Sequence, residues 1–130
     1  MTLIEAQTQG IAPWDDLEID LDGVRVYRDR FPVTPGHLLF VPESDLPVLI
    51  QQAFGLADLR GRAMVNRGDC DAYNIGINQG RAAGQTVMYP HVHLIPRRSG
   101  DCADPVGGVR GVIPGQANYK KPGYREPKNK

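Results

Sequence analysis

Residues 84–97 read GQTVMYPHVHLIPR, and the fold turns on how this stretch is read. An apolar run carries His91 and His93 two residues apart, and a small polar turn, Gly84-Gln85-Thr86, precedes it. If the run is a β-strand, its side chains alternate with period two. Tyr89, His91, His93 and Ile95 then share one face, and Met88, Val92 and Leu94 take the other. Two imidazoles on one face reach one bound group, and the turn offers backbone N–H groups and a hydroxyl. Donors of this kind suit a phosphate, which wants a partner on every free oxygen. A neutral imidazole is also a nucleophile near neutral pH. The same His-x-His pattern serves metal ligation and plain exposed pairing, so the pattern alone leaves the chemistry open.

Upstream, Leu17 to Tyr27 reads LEIDLDGVRVY, two alternating apolar runs around Asp22-Gly23. Asp-Gly between such runs predicts a β-hairpin closed by a type I′ turn, which needs positive φ twice. Two prolines then fix a non-helical connection over residues 28–37, followed by a strand from Leu38 to Val41. Leu46, Leu49, Ile50, Ala53, Phe54 and Ala57 recur with helical period, predicting one amphipathic helix packed on a sheet. Ser44 or Asp45 is its expected cap, with Pro47 in the first turn. Gly55 and Gly61 weaken its later part, and its end falls between Leu59 and Asn66. A turn at 66–69 leads into a strand over 71–78, DAYNIGIN. These elements make an α+β fold with an antiparallel sheet of about five strands and one main helix.

Together, two segments of the chain resemble the histidine triad (HIT) superfamily of nucleotide hydrolases and transferases. The first is the quoted stretch, similar to the family's His-φ-His-φ-His-φ-φ motif after Gly-Gln-Ser/Thr-Val. His91 matches the central, nucleophilic histidine and His93 the third, while Tyr89 stands where the first histidine belongs. The second is FPVTPGHLLFVP, residues 31–42. In the family, an acidic or amide residue eight positions before the Gly-His histidine holds the ribose, and Asp29 stands at that distance from His37. A carboxylate accepting from two vicinal hydroxyls is sound chemistry for that task.

The resemblance implies a substrate site. Asp29, with its neighbour Arg30, would bind the sugar, Phe31 would wall the base, and Gly84, Gln85 and Tyr89 would line the phosphate side. Asn78, six residues before Gly84, would hold the scissile phosphate or leaving group together with Thr86; the plainer reading of Asn78 is a turn cap. His37 is either a support behind the site or a phosphate contact. The expected activity is attack by His91 on the α-phosphate of a nucleotide conjugate, a dinucleoside polyphosphate or nucleoside phosphoramidate, through a nucleotidyl-histidine. Alternatives are a nucleotidyltransferase, since Pro90 before the nucleophile is similar to that branch, and a nucleotide sensor without turnover. No cofactor is expected, although a divalent cation could accompany a polyphosphate substrate. Many relatives carry a Cys-x-x-Cys pair for a structural zinc; nothing like it occurs here, so no metal is expected. A homodimer is implied by the resemblance alone.

Composition bounds the partners. Fifteen basic residues balance fifteen acidic ones, and 41% of the chain is hydrophobic, as in an ordinary soluble domain. That balance gives no footprint for nucleic acid, and no apolar run approaches membrane-spanning length. The first residues show no signal-peptide core. Cys70 and Cys102 lack metal spacing and read as free thiols in a cytoplasmic setting, with a disulfide between them as the minor alternative. The expected organisation is a loosely docked arm over 1–14, the nucleotide-binding domain over 15–119, and a flexible basic tail over 120–130. Within the glycine-rich stretch after Arg97, Val109–Ile113 is the one candidate for a short strand.

Overall fold

The computed structural model describes residues 1–128. It contains two compact units, Met1–Arg98 and a second one from Ser99 onward. In the first, the hairpin forms where the Asp-Gly signal puts it: β1 (Leu17–Leu21) and β2 (Val24–Arg28), with Leu21 opposite Val24. Only Gly23 of the two turn residues has positive φ, +87°. A type I′ turn needs it at both, so the expected turn type is corrected while the hairpin stands. Then come β3 (Leu38–Pro42), α2 (Pro47–Asn66), β4 (Ala72–Ile77) and β5 (Val92–Arg97). The five strands form one sheet in the order β1-β2-β3-β5-β4, every neighbouring pair antiparallel.

Helix α2 covers one face. Ala53, Ala57 and Met64 pack on Val24, Val26, Leu38, Phe40, Val92 and Leu94. Burying these side chains is worth roughly 1.5–3 kcal/mol for each large one, which fixes the strand register through the alternation of β5. The helix begins one residue after Leu46, which makes no side-chain cap; neither Ser44 nor Asp45 caps it, and Pro47 alone sets its start. It also runs through both glycines. At Gly61 a Cβ would lie 2.7 Å from three atoms of the Tyr73 ring, so glycine is there for a tertiary contact.

The other face is covered by the N-terminal arm, which is ordered rather than loose. Residues Leu3–Thr8 form a short helix, α1, whose Glu5 N–H is accepted by the Thr2 hydroxyl at 3.1 Å. Leu3, Ala6 and Ala12 pack on Tyr27, Leu39, Val41 and Tyr89. Cross-strand pairing sets Tyr27, Leu39, His93 and Gly76 in one row. Opposed residues point to the same face, so His93 looks toward the arm side from a central strand. A Cβ added to Gly76 would meet open space.

The second unit holds no strand at Val109–Ile113. A 3-10 turn spans Gly108–Val112 instead. The Arg110 guanidinium donates to the carbonyls of Ala117 at 3.0 Å and Gln116 at 3.2 Å, and lies 5.2 Å from the Tyr119 ring centre. Gly107, at φ +92°, lies so close to the Ala117 carbonyl that a Cβ would collide with it. Lys121, in the expected tail, pairs with Asp104 at 2.8 Å.

Candidate active site

Strand β5 starts at Val92, later than the alternation suggests, because Pro90 has no N–H to give a ladder. Tyr89 and His91 therefore belong to a bent lead-in. His91 is 8% exposed, and its Nδ1 lies 2.7 Å from the Tyr89 carbonyl oxygen. A carbonyl can only accept, so Nδ1 carries the proton and Nε2 is left with its lone pair. Tyr89 itself turns away. Its side chain is 1% exposed within the arm-side core, and its hydroxyl donates to the Pro42 carbonyl at 2.6 Å. The residue in the first histidine's place thus serves His91 with its backbone, and its ring does not line the site.

A second constraint orders His37 and His93. The Val33 N–H donates to His37 Nδ1 at 3.1 Å, so the His37 proton is on Nε2. That atom lies 2.9 Å from His93 Nδ1. His93 Nδ1 accepts, and the remaining His93 proton is on Nε2. Asp29 stands beside this chain. Its Oδ2 is 3.5 Å from His37 Nε2, and its Oδ1 accepts the Phe31 N–H at 2.8 Å. The His91 and His93 ring centres are 5.1 Å apart. Burial holds His91 below the ordinary imidazole value of 6.5, against opposing pulls from the Tyr89 carbonyl and Asp29. Burial, with the His91 and His37 rings adding, pushes His93 down to about 4. His37 is lowered by burial, with Asp29 opposing. All three rings are neutral near neutral pH.

A hollow of ≈ 390 Å³ opens over these rings. It is lined by His91, His93, Asn78, Gly84, Thr86, Val87, Pro13, Trp14, Asp15, Arg28, Asp29, Arg30, Phe31 and Leu39. Eight residues expected at the site therefore share one hollow: Asp29, Arg30, Phe31, Asn78, Gly84, Thr86, His91 and His93. Arg30 is tied to Asp15 at 3.0 Å. Gln85 faces inward instead. Its Oε1 accepts the Gly80 N–H at 2.8 Å and its Nε2 donates to the Val87 carbonyl at 3.1 Å, so it braces the turn that carries Thr86. His37, 4% exposed, lies behind His93. Trp14 is the residue the pattern reading missed. Its ring centre is 4.8 Å from that of His91, and it also faces Tyr27 and Tyr89. The available signal was a lone tryptophan after Pro13 in a polar stretch.

Asp29, His37 and His93 are the one group of three potential metal ligands among the described residues. They do not fit a cation. His37 already accepts through Nδ1, so ligation by Nε2 would demand a ring with no proton at all. A cysteine pair is also missing: Cys70 is buried, Cys102 is exposed, and both are free.

Comparison with known proteins places the chain. The model of the HIT domain family matches residues 15–100. The adenylylsulfatase HINT3 of Arabidopsis thaliana is 32% identical over 81 residues, 57% of this chain and 41% of that protein. The asymmetrical bis(5'-nucleosyl)-tetraphosphatase of Schizosaccharomyces pombe is 34% identical over 80 residues, covering 56% of this chain and 44% of its own. The chain thus spans less than half the length of these two curated relatives. A zinc-bound histidine triad family protein from Mycobacterium smegmatis superposes with a TM-score of 0.65 at 30% identity, covering 79% of each chain. With the fold, the paired rings and the match over residues 15–100 all in agreement, this chain belongs to the HIT domain family.

Proposed function

We propose that this protein hydrolyses a nucleotide conjugate at its α-phosphate, with His91 as the nucleophile. One observation carries the reading: His91 presents an unprotonated Nε2 in the hollow that also holds Asp29. In that scheme Asp29 anchors the ribose and the base lies along Trp14 and Phe31. His91 Nε2 forms a bond to phosphorus as the bond to the leaving group breaks, and the leaving group departs with the electron pair. Water then attacks the nucleotidyl-histidine, releases the nucleoside monophosphate and gives up its proton to solvent. Splitting one displacement into two is the gain of covalent catalysis. His93 Nε2–H, the Thr86 hydroxyl, the Gly84–Thr86 backbone and Asn78 are the donors available for charge on the equatorial oxygens.

Two relatives named as hydrolases of nucleotide conjugates support a hydrolase. The substrate class is a dinucleoside polyphosphate or nucleoside phosphoramidate, and the pairing of two copies belongs to the same reading. The test is a panel of α-labelled conjugates, quenched in alkaline denaturant. Wild type should carry a labelled adduct that His91→Ala lacks, with monophosphate released in step. An adduct discharged by phosphate or sugar phosphate and not by water would make the protein a transferase. Tight AMP binding with neither adduct nor product would make it a sensor.

A further inference from the structure

The Nε2–H of His37 is hydrogen-bonded to His93 Nδ1 at 2.9 Å, and Asp29 Oδ2 stands 3.5 Å from the same nitrogen, a longer contact that is not a hydrogen bond here. His37 is 4% exposed and does not line the hollow over His91; it borders a second cavity that shares Asp29 and Arg30 with it. Its other nitrogen is committed to the Val33 N–H, which fixes the tautomer. Hydrogen-bond chemistry leaves the pair His37–His93 two arrangements, of which the structure shows the first. In one, His37 donates to His93, and His93 must turn its own N–H into the hollow. In the other, His37 donates to Asp29, His93 Nδ1 is free to take the proton, and a lone pair faces the hollow. The first arrangement offers a phosphate oxygen a donor; the second sets a lone pair against it. Which one holds depends on how strongly Asp29 competes for the shared proton.

We propose that His37 is a positioning residue that couples the sugar carboxylate to the catalytic ring, so that ribose hydroxyls bound at Asp29 commit His93 to its donor tautomer. This rests on the reading of Asp29 as the ribose anchor. A hydroxyl donating to Asp29 Oδ2 satisfies that oxygen and weakens its claim on the His37 proton. The proton then stays on the line to His93. A nucleotide lacking both hydroxyls leaves Asp29 competing, so the sugar is sensed at the phosphate through one buried ring.

The chain has three histidines, few enough to follow each by long-range proton–nitrogen NMR. Histidine-labelled protein is compared alone, saturated with AMP, and saturated with 2′,3′-dideoxy-AMP. AMP should shift His93 to a single Nε2–H population, while dideoxy-AMP leaves a mixture. In His37→Gln the two nucleotides should give the same His93 signal, although both still bind. Asp29→Asn, which keeps an oxygen for the Phe31 N–H, should also remove the difference and serves if His37→Gln fails to fold. Equal His93 signals in the two wild-type complexes overturn the proposal. So does a difference that survives either substitution, and so does a failure of AMP to bind. AMP is a product analogue and needs no turnover, so a missing His91 adduct would defeat the hydrolase reading and leave this coupling standing.

Discussion

Restoring the family's first histidine by Tyr89→His should weaken the protein without speeding it. The Tyr89 side chain is 1% exposed, and its hydroxyl bonds the buried Pro42 carbonyl at 2.6 Å. Tyr89→Phe removes that donor and keeps the ring. Leaving a buried acceptor short costs roughly 1–3 kcal/mol, or about 4–8 °C in Tm per kcal/mol for a domain of this size. Tyr89→His loses the same bond, leaves part of the ring's volume empty and buries imidazole nitrogens without partners. A further ~1–2 kcal/mol follows from the void and the unmet hydrogen bonds. The Tyr89 carbonyl, which orients His91, survives both changes. Adduct formation well below Tm should therefore stay within about threefold of wild type, under ~1 kcal/mol in the barrier. Stability is read by urea titration with far-ultraviolet circular dichroism, and adduct formation by rapid quench. A Tyr89→His protein as stable as wild type, with adduct formation at least about tenfold faster, would show that this side chain reaches the reacting centre and that its burial is irrelevant.

The acid limb of the pH–rate profile should lie below the ordinary imidazole value of 6.5, because burial holds His91 down and the attacking ring must be unprotonated; a limb above 6.5 would contradict this. Stability should follow the same sign. His93 is lowered in the folded chain to about 4 from 6.5, so the unfolded chain binds more protons between those values. Its contribution is complete above pH 6.5 and is lost as the pH falls toward about 4, which urea midpoints across that window would record. Gly61→Ala should destabilise by ~1–2 kcal/mol despite better helix propensity, since the new methyl meets the Tyr73 ring at 2.7 Å. Tyr73 is tethered through its hydroxyl to Asp58 at 2.6 Å, and a raised urea midpoint in the variant would refute the contact argument. Trp14 is the sole tryptophan, so nucleotide entering the hollow should change its fluorescence. The same change with ribose 5-phosphate would remove Trp14 from base recognition.

What the residues revealed in advance was local or periodic. Asp22-Gly23 announced a hairpin because a two-residue loop leaves few choices, yet the turn type depended on the φ of Asp22, which flanking residues do not dictate. The period of Leu49 to Ala57 announced α2, whereas the reason it tolerates Gly61 lies on β4, across the core. Helix α1 is too short for periodicity to show, and six residues would not hold a helix in water without the sheet beneath. At the site, the His91-x-His93 pair stood out by itself, whereas Asp29 and Asn78 were singled out only by resemblance to the family's spacing; the structure places all four along one hollow. Tyr89 was assigned to the face of His91 by strand alternation, which fails upstream of Pro90. Proton placement was not legible at all. It rests on the Val33 N–H and the Tyr89 carbonyl, and backbone groups have no letter of their own in a sequence.

Gly76 separates two demands that usually coincide. It faces His93 across the β4–β5 ladder, and a Cβ added there would have no atom beyond its chain neighbours within 4 Å. The strand would accept alanine or valine at little cost, and a screen for well-behaved protein would pass both. The same methyls would project on the face that carries His93, next to the proposed phosphate site. Such a position is invisible to any survey scored by expression or melting, and only an assay with substrate present would report its importance.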